Sequence, residues 1–174
     1  MKGFVLALAL GAWGTAMAEG KGKISLTSPA FAPGGAIPSV HTCDGKDSAP
    51  ALSWTGVPAG AKSLALICED PDAPRGLWVH WVLYDLPASA SSLPEAVPPR
   101  ESLPGGGTHG KNDFGKLGYG GPCPPGGTHR YFFRLYALDR TLSLAPGASR
   151  ADVLRAMEGH VLAEGELLGK YSRK

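Results

Sequence analysis

Two segments carry the residues whose types could do chemistry. The first runs Glu69-Asp70-Pro71-Asp72-Ala73-Pro74-Arg75-Gly76 into Leu77-Trp78-Val79-His80-Trp81. Prolines three apart fix φ and remove amide donors, so an apolar strand ends here in a rigid loop that displays Asp70 and Asp72. In the strand that follows, alternation puts Trp78 with His80 on one face and Val79 with Trp81 on the other. The second segment runs Tyr119-Gly120-Gly121-Pro122-Cys123-Pro124-Pro125-Gly126-Gly127-Thr128-His129-Arg130-Tyr131. Its prolines stiffen the loop and its glycines let backbone amides approach a ligand. Beyond it, His129, Tyr131, Phe133, Leu135 and Ala137 share one strand face, and Arg130, Phe132, Arg134 and Tyr136 the other. If the strands of His80 and His129 lie in one sheet, two histidines, an aspartate and a tyrosine converge. Imidazole, phenol and amide donors are what a phosphate or other small anion requires. A histidine on a buried strand is also commonly a satisfied core residue, and that alternative stands beside the pocket.

Two histidines and a carboxylate could also serve a metal or act as general base. The spacings HxD and HExxH and the nucleophile elbow GxSxG are absent, so the chain reads as a binding protein with no metal or cofactor rather than an enzyme. His41 and His109 sit in polar sequence without a ligand-spaced partner and read as solvated. His160 reads as a packing residue, and alternation points Arg130 away from the pocket.

Cys68 lies in the apolar run Ser63 to Cys68, where a thiol behaves as a small core residue. Cys43 and Cys123 both lie in turn-rich sequence, so a Cys43–Cys123 disulfide is expected; three reduced thiols are the alternative.

The elements that must position these residues are short. Ile24 to Leu26, Leu52 to Trp54, Ser63 to Cys68, Trp78 to Leu86 and Tyr131 to Leu138 are β-branched or aromatic runs bounded by turn residues. Many short strands indicate a β-sandwich. Between Pro87 and Gly121 a long connection rich in Ser, Pro and Gly is expected to border a site. One helix is expected near the C-terminus, where Ser149-Arg150-Ala151-Asp152 has capping-box spacing and Val153, Leu154, Met157 and Val161 recur at helical intervals. Gly165 should end it or separate a second short helix.

The chain has 174 residues, 43% hydrophobic and 18% charged, with 25 glycines and 16 prolines. That composition suits one turn-rich domain, assigned to residues 19–174, in which long helices are scarce. A formal charge of +2 is too small to track a phosphodiester backbone, which excludes nucleic acid as a partner. Lys2, the apolar run Phe4 to Trp13 and Ala16-Met17-Ala18 before Glu19 form a signal-peptide pattern over residues 1–18, with cleavage after Ala18. Export to the periplasm or the medium follows. The apolar run is too short to span a membrane.

Asp70-Pro71-Asp72-Ala73-Pro74 with His80-Trp81, and Gly121-Pro122-Cys123-Pro124-Pro125 through His129-Arg130-Tyr131, resemble the two signature segments of the phosphatidylethanolamine-binding protein family. Thr42-Cys43-Asp44-Gly45, Pro50-Ala51-Leu52-Ser53-Trp54, Gly110-Lys111-Asn112-Asp113 and Tyr136-Ala137-Leu138-Asp139 extend the match, which is similar to the bacterial Raf kinase inhibitor-like branch. The resemblance implies an antiparallel β-sandwich with Greek-key character and small peripheral and C-terminal helices. It implies a small anion pocket lined by Asp70, Trp78, His80, His129 and Tyr131, with backbone from Gly121, Pro122 and Pro124. Vertebrate members carry a second histidine where Val79 stands here, so contacts of that residue do not transfer.

Under this reading the ligand is a phosphate- or phosphoethanolamine-like anion. The histidines and Tyr131 donate to it, and Asp70 fixes a histidine tautomer or meets an ammonium group. The alternative is a protein inhibitor of a peptidase or kinase-type target, acting through the 87–118 loop. A second copy of the chain is a further candidate partner if a sheet face is left uncovered.

Overall fold

The computed structural model describes residues 21–173, so the expected leader over 1–18 lies outside the described residues. In chain order the strands are β1 (Gly22–Lys23), β2 (Ser25–Thr27), β3 (Leu52–Thr55), β4 (Ser63–Asp70), β5 (Trp78–Pro87), β6 (Ser92–Leu93), β7 (Thr108–His109), β8 (Thr128–Leu138) and β9 (Val161–Ser172). A 3-10 turn spans Ser39–His41, and the helix α1 spans Arg150–Met157.

Six strands form a sheet in the order β1-β9-β8-β4-β5-β7, and β2-β3-β6 form a second. The pairs are antiparallel except β1 with β9. After the β4–β5 hairpin the chain returns to the far side of β4 as β8, a Greek-key connection, and the sheets do not close into a barrel.

The main core lies between the sheets. Leu64, Leu66, Trp81, Leu83, Phe133 and Leu135 of the large sheet meet Leu26, Leu52 and Trp54 of the small one. On the other face Ala65, Ile67, Val82 and Tyr84 pack with Val153 and Met157 of α1. With both faces covered, all eight residues of β4 are buried. Each large apolar side chain withdrawn from water there contributes about 1.5–3 kcal/mol. The buried carboxylate of Glu69 is matched by Arg134 and by Arg150 Nε at 2.6 Å, which ties α1 to the sheet and offsets the cost of burying charge.

Strict alternation along β5 fails at two places. Cys68 pairs with Trp81 but Glu69 with Val79, so His80 is the extra residue of a bulge. Trp81 therefore faces the inter-sheet core and Val79 the α1 side, against the expectation that they share a face. A second shift lies between Leu83 and Leu86, where Asp85 has φ 55°, and it lets both leucines face the same core.

The C-terminal expectation is half met. Ser149 and Asp152 form the capping box and α1 follows. It ends before Gly159, whose φ of 76° reverses the chain. Val161 then opens β9, and neither a longer helix nor a second short one forms. Alternation in β9 turns Ala163, Gly165, Leu167 and Gly169 inward. A Cβ at Gly165 would lie 2.5 Å from the Ile24 carbonyl oxygen, and one at Gly169 2.6 Å from Ile37. Those glycines admit the N-terminal segment that crosses the strand.

Cys43 and Cys123 are joined, with Cα atoms 5.4 Å apart across a sequence separation of 80. Cys68 is free and buried.

Candidate functional site

The two segments meet at one end of the large sheet, where the last residues of β4 lie beside the first residues of β5 and β8. At the end of β4 the Asp70 carboxylate accepts Asp72 N–H at 2.8 Å through Oδ1, which fixes the turn into the 71–77 loop. Its other oxygen, Oδ2, accepts His129 Nδ1–H at 2.7 Å from the start of β8. Both side chains are buried.

His80 is held by the start of the second segment. Its Nδ1–H donates to Gly120 O at 2.6 Å, and Gly120 N–H donates back to the His80 backbone oxygen at 2.9 Å. One residue earlier, Asp113 clamps Val79 through its side chain, at 2.7 Å, and through its own N–H, at 2.9 Å. These bonds continue the edge of β5 beyond β7 and anchor the 112–121 loop on the site. Burial pushes the His80 pKa below its ordinary value, with the Gly120 bond and the Asp70 and Asp47 charges acting the other way. His80 is therefore a neutral imidazole at pH 7.

A cavity of about 260 Å³ opens above these groups. Asp70, Trp78, His80, Pro124 and His129 line it, as do Arg75 and Phe114. Its walls are chiefly apolar: the Phe114 ring stands edge-on to Trp78 at 5.5 Å and to His80 at 5.4 Å. Gly120 makes this packing fit, because a Cβ there would come within 2.6 Å of the Phe114 ring.

The other expected residues sit behind these walls. Tyr131 lies beneath the cavity with its ring edge-on to His80 at 5.1 Å, and its buried hydroxyl has no partner. Burial and the Asp70 charge raise its pKa, so the hydroxyl keeps its proton. Gly121 N–H is taken by Asp47 Oδ1 at 2.6 Å, and the Pro122 carbonyl accepts Cys43 N–H at 3.1 Å. With prolines at 122, 124 and 125, Cys123 supplies the one backbone N–H between Gly121 and Gly126. Arg130 forms a two-point pair with Asp72, at 2.9 and 2.7 Å, away from the cavity.

A sequence profile of the phosphatidylethanolamine-binding proteins matches residues 27–172. The chain belongs to the phosphatidylethanolamine-binding protein family. Among its relatives, a UPF0098 protein of Methanothermobacter thermautotrophicus is 59% identical over 150 residues, covering 86% of this chain and 99% of that one. Another UPF0098 protein, from Aquifex aeolicus, is 50% identical over 84% of this chain and 86% of its own. Among solved structures, a phosphatidylethanolamine-binding protein homologue from Chlamydia trachomatis superposes with a TM-score of 0.81 at 42% identity, over 87% of this chain and 99% of that one. An Escherichia coli protein described as a member of the mammalian family gives 0.81 at 34% identity, with the same coverages.

Three features of this family member depart from the sequence reading. His41 and His109 are buried, not solvated: each donates Nδ1–H to a carbonyl, Ser48 O at 2.8 Å and Arg100 O at 2.6 Å. They staple loops to the body of the sandwich. Phe114 and Arg75 line the cavity and were not expected there. The long connection does border the site as expected, yet it carries β6 and β7 and meets the site chiefly through Phe114. Phe114 is 40% exposed, and a large aromatic between Asn112-Asp113 and Gly115 in an otherwise polar turn was its only signal.

Proposed function

We propose that the chain is an exported binding protein whose cavity takes a phosphoryl or similar small oxyanionic group, such as that of a phospholipid head group. The observation that carries this reading is the convergence of two histidines from different strands on one apolar-walled cavity, each ring fixed by a bond at Nδ1. Fixed imidazoles aim Nε2 at a ligand without a further ordering cost. Arg75 adds a cation on the cavity lining. Tyr131 shapes the floor, and its unpaired hydroxyl is available to a ligand or water that reaches it. The apolar walls suit a ligand whose anionic end carries an uncharged remainder. The name of the family, and the coverage of nearly the whole described chain by its profile, agree with this assignment.

The test is an NMR titration of the protein with inorganic phosphate and phosphoethanolamine, following the imidazole signals of the five histidines. Saturable shifts confined to His80 and His129, and lost in His129→Ala, support the proposal. Unmoved signals at millimolar ligand overturn it. Export is tested separately by the mass of the extracytoplasmic form, which should begin at Glu19.

A further inference from the structure

Each pocket histidine has one ring nitrogen already committed. The Gly120 carbonyl can only accept, so the hydrogen of His80 sits on Nδ1. A ring flip would turn Cδ2 in place of Nδ1 toward the Gly120 carbonyl and lose that bond. The Asp70 carboxylate likewise accepts from His129, and the Asp72 amide holds that carboxylate in place. A neutral imidazole with hydrogen on Nδ1 presents a lone pair at Nε2. The nitrogens left for the cavity are therefore acceptors, and an acceptor facing a bare oxyanion is repulsive. Contact becomes attractive when a proton lies between them, on an imidazolium or on the ligand's own hydroxyl.

We infer that this pocket takes an oxyanion only together with a proton, and so prefers oxyanions that carry one, such as phosphate and its monoesters, to those that carry none, such as sulfate. The inference rests on the anion-site reading above and adds the protonation state of the ligand.

The surroundings agree. His80 is faced by Asp70 from β4, Asp47 from the turn after the 3-10 element and Tyr131 from β8. His129 is faced by Asp70, by Tyr171 across β9 and by Arg75 on the shared lining. Arg130, the nearest further cation, is engaged by Asp72. Arg75, on the cavity lining, attracts every oxyanion alike and so does not discriminate among them. Burial keeps His80 neutral until a ligand recruits the proton.

Isothermal calorimetry of the oxidised protein with sodium sulfate and with inorganic phosphate, from pH 5.5 to 8.5, tests this. Sulfate does not titrate in that range, so its proton must come from the solvent and settle on a histidine. Its affinity should fall about tenfold per pH unit above pH 7 for each proton taken up. Phosphate supplies one proton itself, so its preference over sulfate should widen about tenfold between pH 7 and 8. In parallel, the Nε2 resonances of His80 or His129 should move to imidazolium positions when sulfate binds at pH 7.5. Sulfate affinity that stays flat from pH 6.5 to 8.5 overturns this inference and leaves the anion site standing. Failure of both anions to bind at pH 5.5 overturns the anion site, and this inference with it.

Discussion

At the residue scale the proposed anion site rests on two histidines that line the cavity, each fixed by a bond at Nδ1. Asp70→Asn removes the negative charge beside His129 and leaves one acceptor oxygen where the carboxylate offers two, to Asp72 N–H and to His129 Nδ1–H. Phosphate affinity should fall at least about tenfold at pH 7, and the unfolding temperature should fall with it because one hydrogen bond of a buried side chain is lost; calorimetric titration beside thermal melts would measure both. Phe114→Ala tests the aromatic wall. Phe114 is 40% exposed, so its truncation should cost about 1 kcal/mol, well below the 3–5 kcal/mol of a core phenylalanine. Water admitted beside His80 should raise the pKa of that histidine toward its ordinary value, as read from its NMR titration. An unchanged His80 titration would mean that other walls keep it dry.

Among the elements, β9 shows how a strand is specified by what crosses it. Gly165→Ala would drive a Cβ against the Ile24 backbone, 2.5 Å away. Because backbone gives way poorly, the substitution should cost about 1–3 kcal/mol in urea denaturation. Gly60→Ala, whose new Cβ would meet only a Leu162 methyl at 3.8 Å, is the matched control and should stay within about 0.5 kcal/mol of the parent. The same strand explains an error of sequence reading. Val161-Leu162-Ala163-Glu164-Gly165-Glu166-Leu167-Leu168-Gly169 follows a well-capped helix and has helix-compatible composition, while its inward positions include two glycines, Gly165 and Gly169, that carry no apolar signal. The period-two pattern was present, written in small residues rather than large ones. His80 is the counterpart in β5: a bulge leaves no mark in composition, and alternation counted across it places Val79 on the wrong face.

For the whole molecule, the Cys43–Cys123 link and the buried histidines make stability depend on redox state and on pH. Closing a loop of 80 residues restricts the unfolded chain, and reduction should lower stability by up to about 4 kcal/mol in the chain-entropy account. Melts with and without dithiothreitol measure this. His80 and His109 both have pKa values lowered by burial. The unfolded chain therefore takes up protons first as pH falls, and the stability that these neutral histidines contribute, complete above about pH 6.5, is lost progressively as pH drops below it. The unfolding temperature should decline from pH 7 to pH 5 in buffer without phosphate or sulfate. An added oxyanion that binds with a proton should reverse part of that decline. Asp72, held at a pKa of about 2 by Arg130, keeps its pair throughout that window and loses it only in stronger acid.

The sequence by itself determined the family, the β-rich class, the main strands and the capped helix, and it made the pairing of the two loop cysteines the expected one. Each of these depends on local chemistry: proline and glycine punctuation, β-branched runs, a Ser-x-x-Asp box, and motifs whose residues are contiguous. It also named both histidines and Asp70, because rigid turns and alternating strands announce them. Only the tertiary structure decided which nitrogen of each ring faces the cavity, since that depends on Gly120 and Asp70, which lie 40 and 59 positions away from their histidines. It also decided that His41 and His109 are buried, that Phe114 forms a wall, and that the Gly121 amide is engaged by Asp47. Hydrogen-bond satisfaction of buried groups is settled across the whole fold, and no spacing along the chain records which distant carbonyl will accept a given proton.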